Sequence, residues 1–270
     1  MSDLLVRPTD PDADGRVIHI TPESAGWRYV GFDLHRLAAG QTLSRRTGPR
    51  EVCLVLVAGA ADVDAGEVLF ENIGGRASPF EDKAPGAVYV SHHSSWTVTA
   101  RSDVELAVCS APGGEDERPG RLIEAAEMGT ETRGRESNTR HVRNILPDTD
   151  PTAQSLLVVE VITPPGNWSS YPPHKHDTDA LPDESFLEET YYHRLDPPQG
   201  FAFQRVYTDD RSLDETMTVQ NGDVVCVPRG YHPAGTPFGY QLYYLNVMAG
   251  PTRKWVFRND PEHEWVISRS

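Results

Sequence analysis

The sequence predicts an all-β protein that is built as two similar halves. Glycine and proline number 22 each, and they separate short apolar runs, which is the usual punctuation of strands and turns. Amphipathic helix is scarce, and its best candidate covers only residues 121–128. A faint internal repeat is the third observation, since GAVYV at residues 86–90 resembles GDVVC at residues 222–226.

The strand-like runs form two groups, which we expect to fold as two domains. The first group lies within residues 1–111 and the second within residues 155–270. Residues 112–154 are polar and rich in charge, so they are predicted to connect the two halves. The repeat also makes Glu51, which opens a strand-like run, resemble Glu189 in the second half.

The composition restricts the partners. The formal net charge is −15 and the isoelectric point is near 5.0, which disfavours nucleic acid and anionic membranes. An anionic substrate stays compatible, because a local basic pocket can override the global charge. No window has the apolar length of a signal peptide or a membrane span, and the three cysteines are scattered, so we expect a cytoplasmic protein.

His174 and His176 are the first candidate functional residues. Side chains at positions i and i+2 of a strand point to the same face, so both imidazoles can reach one point in space. Neutral imidazole is the commonest protein ligand of divalent metals. The pair alone fits two solvated histidines on a surface strand equally well, so the interpretation depends on further ligands.

Further candidate ligands follow downstream. Residues 188–193 have the aromatic and β-branched content of a strand. Residues 221–232 contain an Asn-Gly turn, a valine-rich strand and a Pro-Arg-Gly break, and they end on His232. The strand signals around each motif strengthen the prediction of a metal site.

The carboxylate ligand is ambiguous between Glu188 and Glu189. A polar loop of twelve residues, 177–188, lies between His176 and Glu189. We favour Glu189, since alternation along a strand then turns Tyr191 and His193 inward together with it. Glu188 stays open as the alternative.

The order of these motifs resembles that of the cupin superfamily. It reads His-x-His, then Glu, then Gly-Asp, then Pro-x-Gly-x-His. The resemblance implies a small β-barrel that holds a metal with three histidines and one glutamate. The ligands that it implies are His174, His176, Glu189 and His232. The first half has no His-x-His pair before Glu51, so it looks like a cupin barrel without a metal set.

Longer blocks are similar to one family of bicupins, the uronate isomerases that include 5-deoxy-glucuronate isomerase. The blocks are PPHKHD at residues 172–177, LEETYYHR at 187–194, VPRGYHP at 227–233 and YYLNVMAGP at 243–251. The resemblance implies two tandem cupin barrels. It also implies an intramolecular oxidoreductase, namely an aldose–ketose isomerase that converts 5-deoxy-D-glucuronate to 5-dehydro-2-deoxy-D-gluconate in myo-inositol catabolism.

The implied reaction assigns roles to several residues. The isomerisation removes a proton from a carbon next to a carbonyl, and a metal that polarises the carbonyl favours that step. Imidazole and carboxylate ligands suit Zn, Mn, Fe or Ni. Tyr191 and His193 are candidates for the base. Arg205 or Gln204, of which only one faces inward, is a candidate for holding the substrate carboxylate, and Asn246 is a further substrate-binding candidate.

Three alternatives stay open at this point. The sister family, 4-deoxy-L-threo-5-hexosulose-uronate ketol-isomerase of pectin breakdown, resembles the chain in fold and ligand set. A cupin dioxygenase would use the same four ligands with Fe(II). A non-catalytic sugar-binding bicupin typically lacks some of the ligands. The expected partner is a small-molecule uronate, with no nucleic acid and no membrane, and assembly into a homo-oligomer stays open.

Overall fold

The computed structural model describes residues 2–268, and strands dominate it. Strand accounts for 51% of the chain and helix for 4%, so the predicted all-β class is confirmed. β-branched and aromatic residues suit the pleated backbone, and Gly and Pro end the runs. Within the described residues, no helix has both the length and the apolar character needed to cross a membrane.

The strands divide between the two halves of the chain. The first half contains β1 (Leu5–Val6), β2 (Arg16–Ile20), β3 (Gly31–Leu37), β4 (Thr42–Arg46), β5 (Arg50–Asp64), β6 (Leu69–Arg76), β7 (Gly86–Val90), β8 (Ser95–Ala100), β9 (Val104–Pro112) and β10 (Arg121–Ile123). The second half contains β11 (Gly129–Arg133), β12 (Arg140–Leu146), β13 (Leu157–Thr163), β14 (Trp168–Ser169), β15 (His174–Lys175), β16 (Asp177–Ala180), β17 (Glu184–Phe186), β18 (Glu188–Asp196), β19 (Phe201–Tyr207), β20 (Asp214–Gln220), β21 (Val224–Val227), β22 (Ala234–Gly235), β23 (Gln241–Ala249) and β24 (Arg258–Asn259). The helices are α1 (Pro22–Ala25), a 3-10 turn (Glu136–Asn138) and α2 (Trp265–Ser268).

Contacts divide the chain into two compact units. The N-terminal unit comprises Pro8–Gly129 and Asn144–Val158, and the C-terminal unit comprises Met1–Arg7, Thr130–Arg143 and Val159–Ser270. Residues 112–154, which were expected to connect the halves, contain β10, β11 and β12 and contribute to both units.

β5 is the central strand of the N-terminal unit. One sheet runs in the order β10-β7-β5-β9-β3-β2, and β5 also pairs with β6 and β8. Val52, Leu54 and Leu56 of β5 join Val88 and Val90 of β7 in an apolar core cluster of this unit. Burying each such side chain stabilises the fold by about 1.5–3 kcal/mol.

The helix candidate at residues 121–128 was wrong. Residues 121–123 are β10, and Arg121 pairs with Tyr89 of β7. Leu122 packs against the apolar cluster of the N-terminal unit. Pairing with a neighbouring strand therefore overrides the local helical pattern, because strand formation depends on cross-strand packing more than on intrinsic preference.

β18 is the central strand of the C-terminal unit. A seven-stranded sheet runs in the order β1-β21-β18-β23-β13-β12-β11, and a four-stranded sheet in the order β14-β22-β19-β20. The pairs β15–β24 and β16–β17 form two small sheets of their own. Residues 188–193 of β18 are all buried.

The two units share the strand order that the repeat predicts, but Glu51 and Glu189 do not occupy equivalent positions. The order β7-β5-β9-β3-β2 matches β21-β18-β23-β13-β12. Glu51 and Glu189 are both the second residue of their central strand. Glu51, however, alternates with Val52 and so faces away from the apolar cluster, whereas Glu189 lines a cavity. The repeat in the sequence aligns Glu51 with Glu189, but the inner position of β5 is one residue later, at Val52. Because a shift of one residue reverses the face of a side chain, the two glutamates point to different faces of their sheets.

Glu51 is buried and holds the last segment of the N-terminal unit against β5. Its carboxylate accepts hydrogen bonds from the backbone N–H groups of Gln154 at 2.9 Å, Ser155 at 2.6 Å and Leu156 at 2.7 Å. It also accepts one from the Tyr89 hydroxyl at 2.9 Å. Burial and the charge of Glu51 raise the pKa of Tyr89, so the phenol remains a donor. One buried carboxylate thus satisfies four donors.

Glu51→Gln should lower the free energy of unfolding by about 2 kcal/mol. A hydrogen bond to a charged acceptor contributes about 1.5–3 kcal/mol and one to a neutral acceptor about 0.5–1.5 kcal/mol. Glu51→Ala should lower it further, because the backbone donors then have no acceptor. Urea denaturation measures both effects, and Glu71→Gln at an exposed position is the matched control. Equal stability of Glu51→Gln and the parent protein would contradict this role.

Candidate metal centre and active site

One buried face of the C-terminal sheet carries several polar side chains. Glu189, Tyr191 and His193 alternate along β18 and so share that face. The register places Tyr191 opposite Asn246 and His193 opposite Tyr244 of β23. All five are buried. Buried polar groups are uncommon in a core, so their concentration here indicates a functional site.

A hairpin brings His176 beside Glu189. Residues 177–188, predicted as a polar loop, form this hairpin through β16 and β17. The Leu187 N–H donates to the His176 carbonyl at 2.9 Å, and His176 Nδ1–H donates to the Leu187 carbonyl at 3.0 Å. The hairpin thus brings Leu187, and with it Glu189, back beside His176.

His176, Glu189 and His232 converge on one point. Nε2 of His176 lies 3.0 Å from Oε2 of Glu189, and Nε2 of His232 lies 3.2 Å from the same oxygen. One ligand atom from each of the three lies within 4.8 Å of the other two. All three side chains are buried, which removes the water that would otherwise solvate them.

Backbone carbonyls set the tautomers of both histidines. His176 Nδ1–H donates to Leu187, and His232 Nδ1–H donates to the Gly230 carbonyl at 2.8 Å. In a neutral ring this leaves a lone pair on Nε2. Both lone pairs face the Glu189 carboxylate, and Nε2 of His232 has no hydrogen-bond partner in residues 2–268. Three electron-pair donors around one point fit a divalent cation, and carbonyl-bonded imidazoles are the usual support of metal-bound histidine.

Burial controls the protonation of His174 and His232, whereas Glu189 controls that of His176. It lowers the pKa of His232 to about 4 and that of His174 well below its ordinary value, so both are neutral at pH 7. Burial also opposes the charged form of His176, but the hydrogen bond and charge of Glu189 outweigh it and raise the pKa of His176. A proton on His176 satisfies one nitrogen only, whereas a metal ion engages His176, His232 and Glu189 together.

His174 borders the cluster without joining it. Its ring centroid lies 4.9 Å from that of His232 and 6.3 Å from that of His176. It also packs against Phe257, with the ring centroids 4.5 Å apart. Three of the four residues predicted as ligands are thus brought together, and the fourth lies at their edge.

The two candidate glutamates point to opposite faces of β18. Glu188 is buried, as Glu189 is, but adjacent residues of a strand alternate. Glu188 does not belong to the histidine cluster found within residues 2–268. The geometry therefore favours Glu189 as the carboxylate ligand.

Tyr191 reaches the pocket and His193 lies behind it. The Tyr191 hydroxyl is 3.0 Å from Oγ of Ser170, and burial, with the charge of Glu189, raises the pKa of Tyr191. His193 stacks on Tyr191 with ring centroids 5.9 Å apart. Its Nε2–H donates to Oε1 of Gln204 at 2.9 Å. Tyr191 lines the cavity beside Glu189 and His193 does not, so Tyr191 can contact a substrate while His193 supports it.

Gln204 and Arg205 face opposite ways, as their adjacency requires. Gln204 is fully buried and donates to the His232 carbonyl at 3.4 Å, so it supports the cluster from behind. Arg205 lies on the outer face, where Nε and Nη2 each lie 2.7 Å from the Asp214 carboxylate. The structure does not bring Arg205 to the pocket. Asn246, by contrast, lines it directly.

An inner cavity and an outer cleft share two residues. The inner cavity has a volume of about 20 Å³ and is lined by Glu189 and Tyr191, and that space suits one ion or water. The outer cleft has a volume of about 1030 Å³, which suits a small-molecule substrate. Arg140 and His174 line both spaces, so they lie where a ligand would pass from one to the other.

Arg140 is the pocket residue that the sequence analysis missed. It begins β12, inside the segment that was expected to be a connection. The run RHVRNIL at residues 140–146 places its apolar residues at 142, 145 and 146 rather than at every second position, so it carries no clear strand signal. Arg140 is half-buried, and this burial lowers the pKa of its guanidinium.

Comparison with known proteins identifies the family. A sequence profile of the KduI/IolB family matches residues 4–266. The chain belongs to the KduI/IolB family. A 5-deoxy-glucuronate isomerase of Geobacillus thermodenitrificans (strain NG80-2) is 56% identical over 267 residues, which cover 99% of this chain and 97% of that protein. One of Bacillus subtilis (strain 168) is 55% identical over 272 residues and covers 100% of both. The predicted family and the isomerase class are therefore confirmed.

Solved structures agree with the fold. An IolB-like protein from Salmonella typhimurium LT2 matches with a TM-score of 0.95 at 55% identity, covering 98% of this chain and 100% of that one. An oxalate decarboxylase from Lactobacillus farciminis matches with a TM-score of 0.67 at 15% identity, covering 100% of this chain and 91% of that one. The second likeness shows the fold alone, and it confirms the predicted bicupin architecture.

Glu189→Gln should lower the affinity for a divalent metal by at least about 100-fold, because the neutral amide is a far weaker ligand and even outer-shell changes cost 10- to 100-fold. Glu188→Gln is the matched control and should keep about one metal per chain. Elemental analysis after dialysis measures both contents, and thermal unfolding confirms that both variants fold. Loss of metal in Glu188→Gln alone would reverse the assignment.

His193 should make the metal-free protein less stable in acid. Burial lowers the pKa of His193 from 6.5 to about 4. Between pH 4 and pH 6.5, this residue is therefore protonated in the unfolded chain but neutral in the folded chain. Stability from this group is therefore present above pH 6.5 and falls by about 1.4 kcal/mol per pH unit as the pH drops towards 4. Urea denaturation of His193→Gln should show a shallower pH dependence than the parent. Parallel curves would show that His193 does not titrate in this way.

Proposed function

We propose that the chain is a metal-dependent aldose–ketose isomerase that converts 5-deoxy-D-glucuronate to 5-dehydro-2-deoxy-D-gluconate. The observation that carries the proposal is the direction of the His176 and His232 Nε2 lone pairs towards Glu189. The substrate comes from the names of relatives that are 54–56% identical over nearly the full chain. The metal comes from the donor set, since nothing else in the cluster satisfies all three residues.

The proposed ligands are His174, His176, Glu189 and His232. A divalent ion bound by them would polarise the carbonyl of an aldose and make the hydrogen on the neighbouring carbon more acidic. The imidazoles are preset for this task, because burial keeps His174 and His232 neutral. The Leu187 and Gly230 carbonyls fix the ring orientations of His176 and His232.

Tyr191 is the proposed hydrogen-bond donor to the oxygen atoms on the reacting carbons. Its hydroxyl lies in the inner cavity with Glu189, and its raised pKa keeps it protonated at neutral pH. It can therefore donate a hydrogen bond to an oxygen on which negative charge develops. Ser170 holds the hydroxyl in place from one side and His193 supports the ring from the other.

The purified protein should convert 5-deoxy-D-glucuronate to the ketose without added nucleotide, and chelation should abolish turnover. The first expectation rests on the lack of a Gly-rich phosphate loop in the sequence. NMR of the substrate mixture measures the reaction, and readdition of Zn, Mn, Fe or Ni to chelated protein should restore it. Full turnover after complete removal of metal would contradict the metal dependence.

Two controls separate the competing reactions. Conversion of the pectin-derived hexosulose-uronate without conversion of 5-deoxy-D-glucuronate would favour the ketol-isomerase alternative. Oxygen consumption in step with substrate loss would favour a dioxygenase, since an isomerase consumes none. Either result would replace the proposed reaction, whereas inactivity of Glu189→Gln alone would not distinguish among the three.

A further inference from the structure

We infer that Arg140 binds the carboxylate of the substrate and selects acidic sugars over neutral ones. The inference rests on the proposed function, because it places the carbonyl end of the substrate beside Glu189 and the carboxylate end near Arg140. Arg140 lies on β12, outside the two motifs that contain the histidines, and there it would determine substrate specificity.

The guanidinium of Arg140 has hydrogen-bonding capacity that the protein leaves unused. Nη1 donates to the carbonyls of Asn138 at 3.2 Å and Tyr171 at 2.9 Å. Neither Nε nor Nη2 has a partner within residues 2–268. Those two groups form one edge of the guanidinium, and that edge matches a carboxylate with two parallel hydrogen bonds.

Arg140 also lacks a carboxylate in the described part of the chain, unlike neighbouring arginines. Arg133 lies 2.6 Å from Glu131, and Arg143 lies 2.6 Å from Glu160. A partly buried cation without a counter-charge is costly, and proteins rarely keep one unless an anion binds to it. The unpaired charge of Arg140 therefore points to an anionic ligand.

The position of Arg140 fits one end of an extended sugar acid. It lines the inner cavity with Glu189 and Tyr191, and it also lines the outer cleft. His174 lines the same two spaces. A six-carbon acid in the outer cleft, with its carbonyl end turned towards the inner cavity, would have its carboxylate within reach of Arg140.

A local cation is needed because the chain as a whole repels anions. The formal net charge is −15. Arg133 also lines the inner cavity, but it pairs with Glu131 and stacks on Trp255 at 5.1 Å. Arg140 is thus the cavity-lining arginine whose charge remains available to a substrate.

The test compares 5-deoxy-D-glucuronate with its neutral amide, 5-deoxy-D-glucuronamide, in the metal-loaded enzyme. Arg140→Gln should raise KM for the acid by about 10- to 150-fold, the range expected for lost charge-assisted hydrogen bonds. The kcat should change little, because this contact is equal in ground and transition states. The amide kinetics should hardly change, so the preference for the acid should disappear.

Two further variants sharpen the comparison. Arg140→Lys keeps the charge and loses the two-pronged geometry, so it should recover only part of the affinity for the acid. Arg45→Gln removes a half-exposed charge in the N-terminal unit and should leave both substrates unaffected. A parallel loss for acid and amide in Arg140→Lys would show a purely structural role and overturn the inference, as would an unchanged KM for the acid in Arg140→Gln.

Direct binding separates this inference from the proposed reaction. Calorimetry with D-gluconate and the neutral D-glucitol should show a preference for gluconate that Arg140→Gln abolishes. If the enzyme fails to convert 5-deoxy-D-glucuronate and this result still holds, the reaction is wrong and the carboxylate site stands. Equal gluconate binding by the parent protein and Arg140→Gln would overturn the site whatever the reaction.

Discussion

Nε2 of His176 lies 3.0 Å from Oε2 of Glu189, and Nε2 of His232 lies 3.2 Å from the same oxygen. Each of these three atoms can carry a lone pair. Electron-pair donors this close need a proton or a cation between them. A proton that Glu189 favours on His176 leaves Nε2 of His232 without a partner in the described residues, and the surrounding structure holds all three groups in this arrangement. The hairpin of residues 177–188 returns the chain to His176, and the Leu187 and Gly230 carbonyls fix the ring orientations.

A second layer of contacts extends this support into the sheet. His193 stacks on Tyr191 and donates to Gln204, which in turn donates to the backbone of His232. These residues do not line the cavity, yet they limit how far Tyr191 and His232 can move. Polar groups of this kind are costly in a core, and Nδ1 of His193 has no partner in the described residues. The C-terminal unit therefore gives up some stability to preorganise a site.

The two units use the same strand order for different purposes. The face of β5 that carries Val52 and Leu54 packs into an apolar cluster, whereas the face of β18 that carries Glu189 and Tyr191 lines a cavity. The Glu51 carboxylate accepts hydrogen bonds from backbone N–H groups of its own unit. An apolar interior fits a unit that contributes stability, and a polar interior fits one that contributes chemistry.

The sequence by itself determined the all-β class, the internal repeat and the candidate ligands. The first two follow from local periodicity and turn residues, and the ligand set comes from the motif order and its resemblance to the cupins, none of which needs knowledge of distant contacts. Alternation along one strand also favoured Glu189 over Glu188 as the ligand, and Glu189 is the glutamate that lies beside His176 and His232. The matching strand orders of the two units agree with the repeat, although their glutamates face different ways.

Only the tertiary structure decided which polar residues reach the pocket. Arg205 lies outside and Gln204 behind the cluster, because a strand sends adjacent residues to opposite faces and the sequence does not say which face is inner. Arg140 reaches the cavity from a segment with no motif, through the pairing of β12 in a sheet that joins distant parts of the chain. For the same reason, residues 121–123 form a strand that pairs with β7 and not the predicted helix. Long-range strand pairing sets these positions, and it depends on the packing of the whole unit rather than on local sequence.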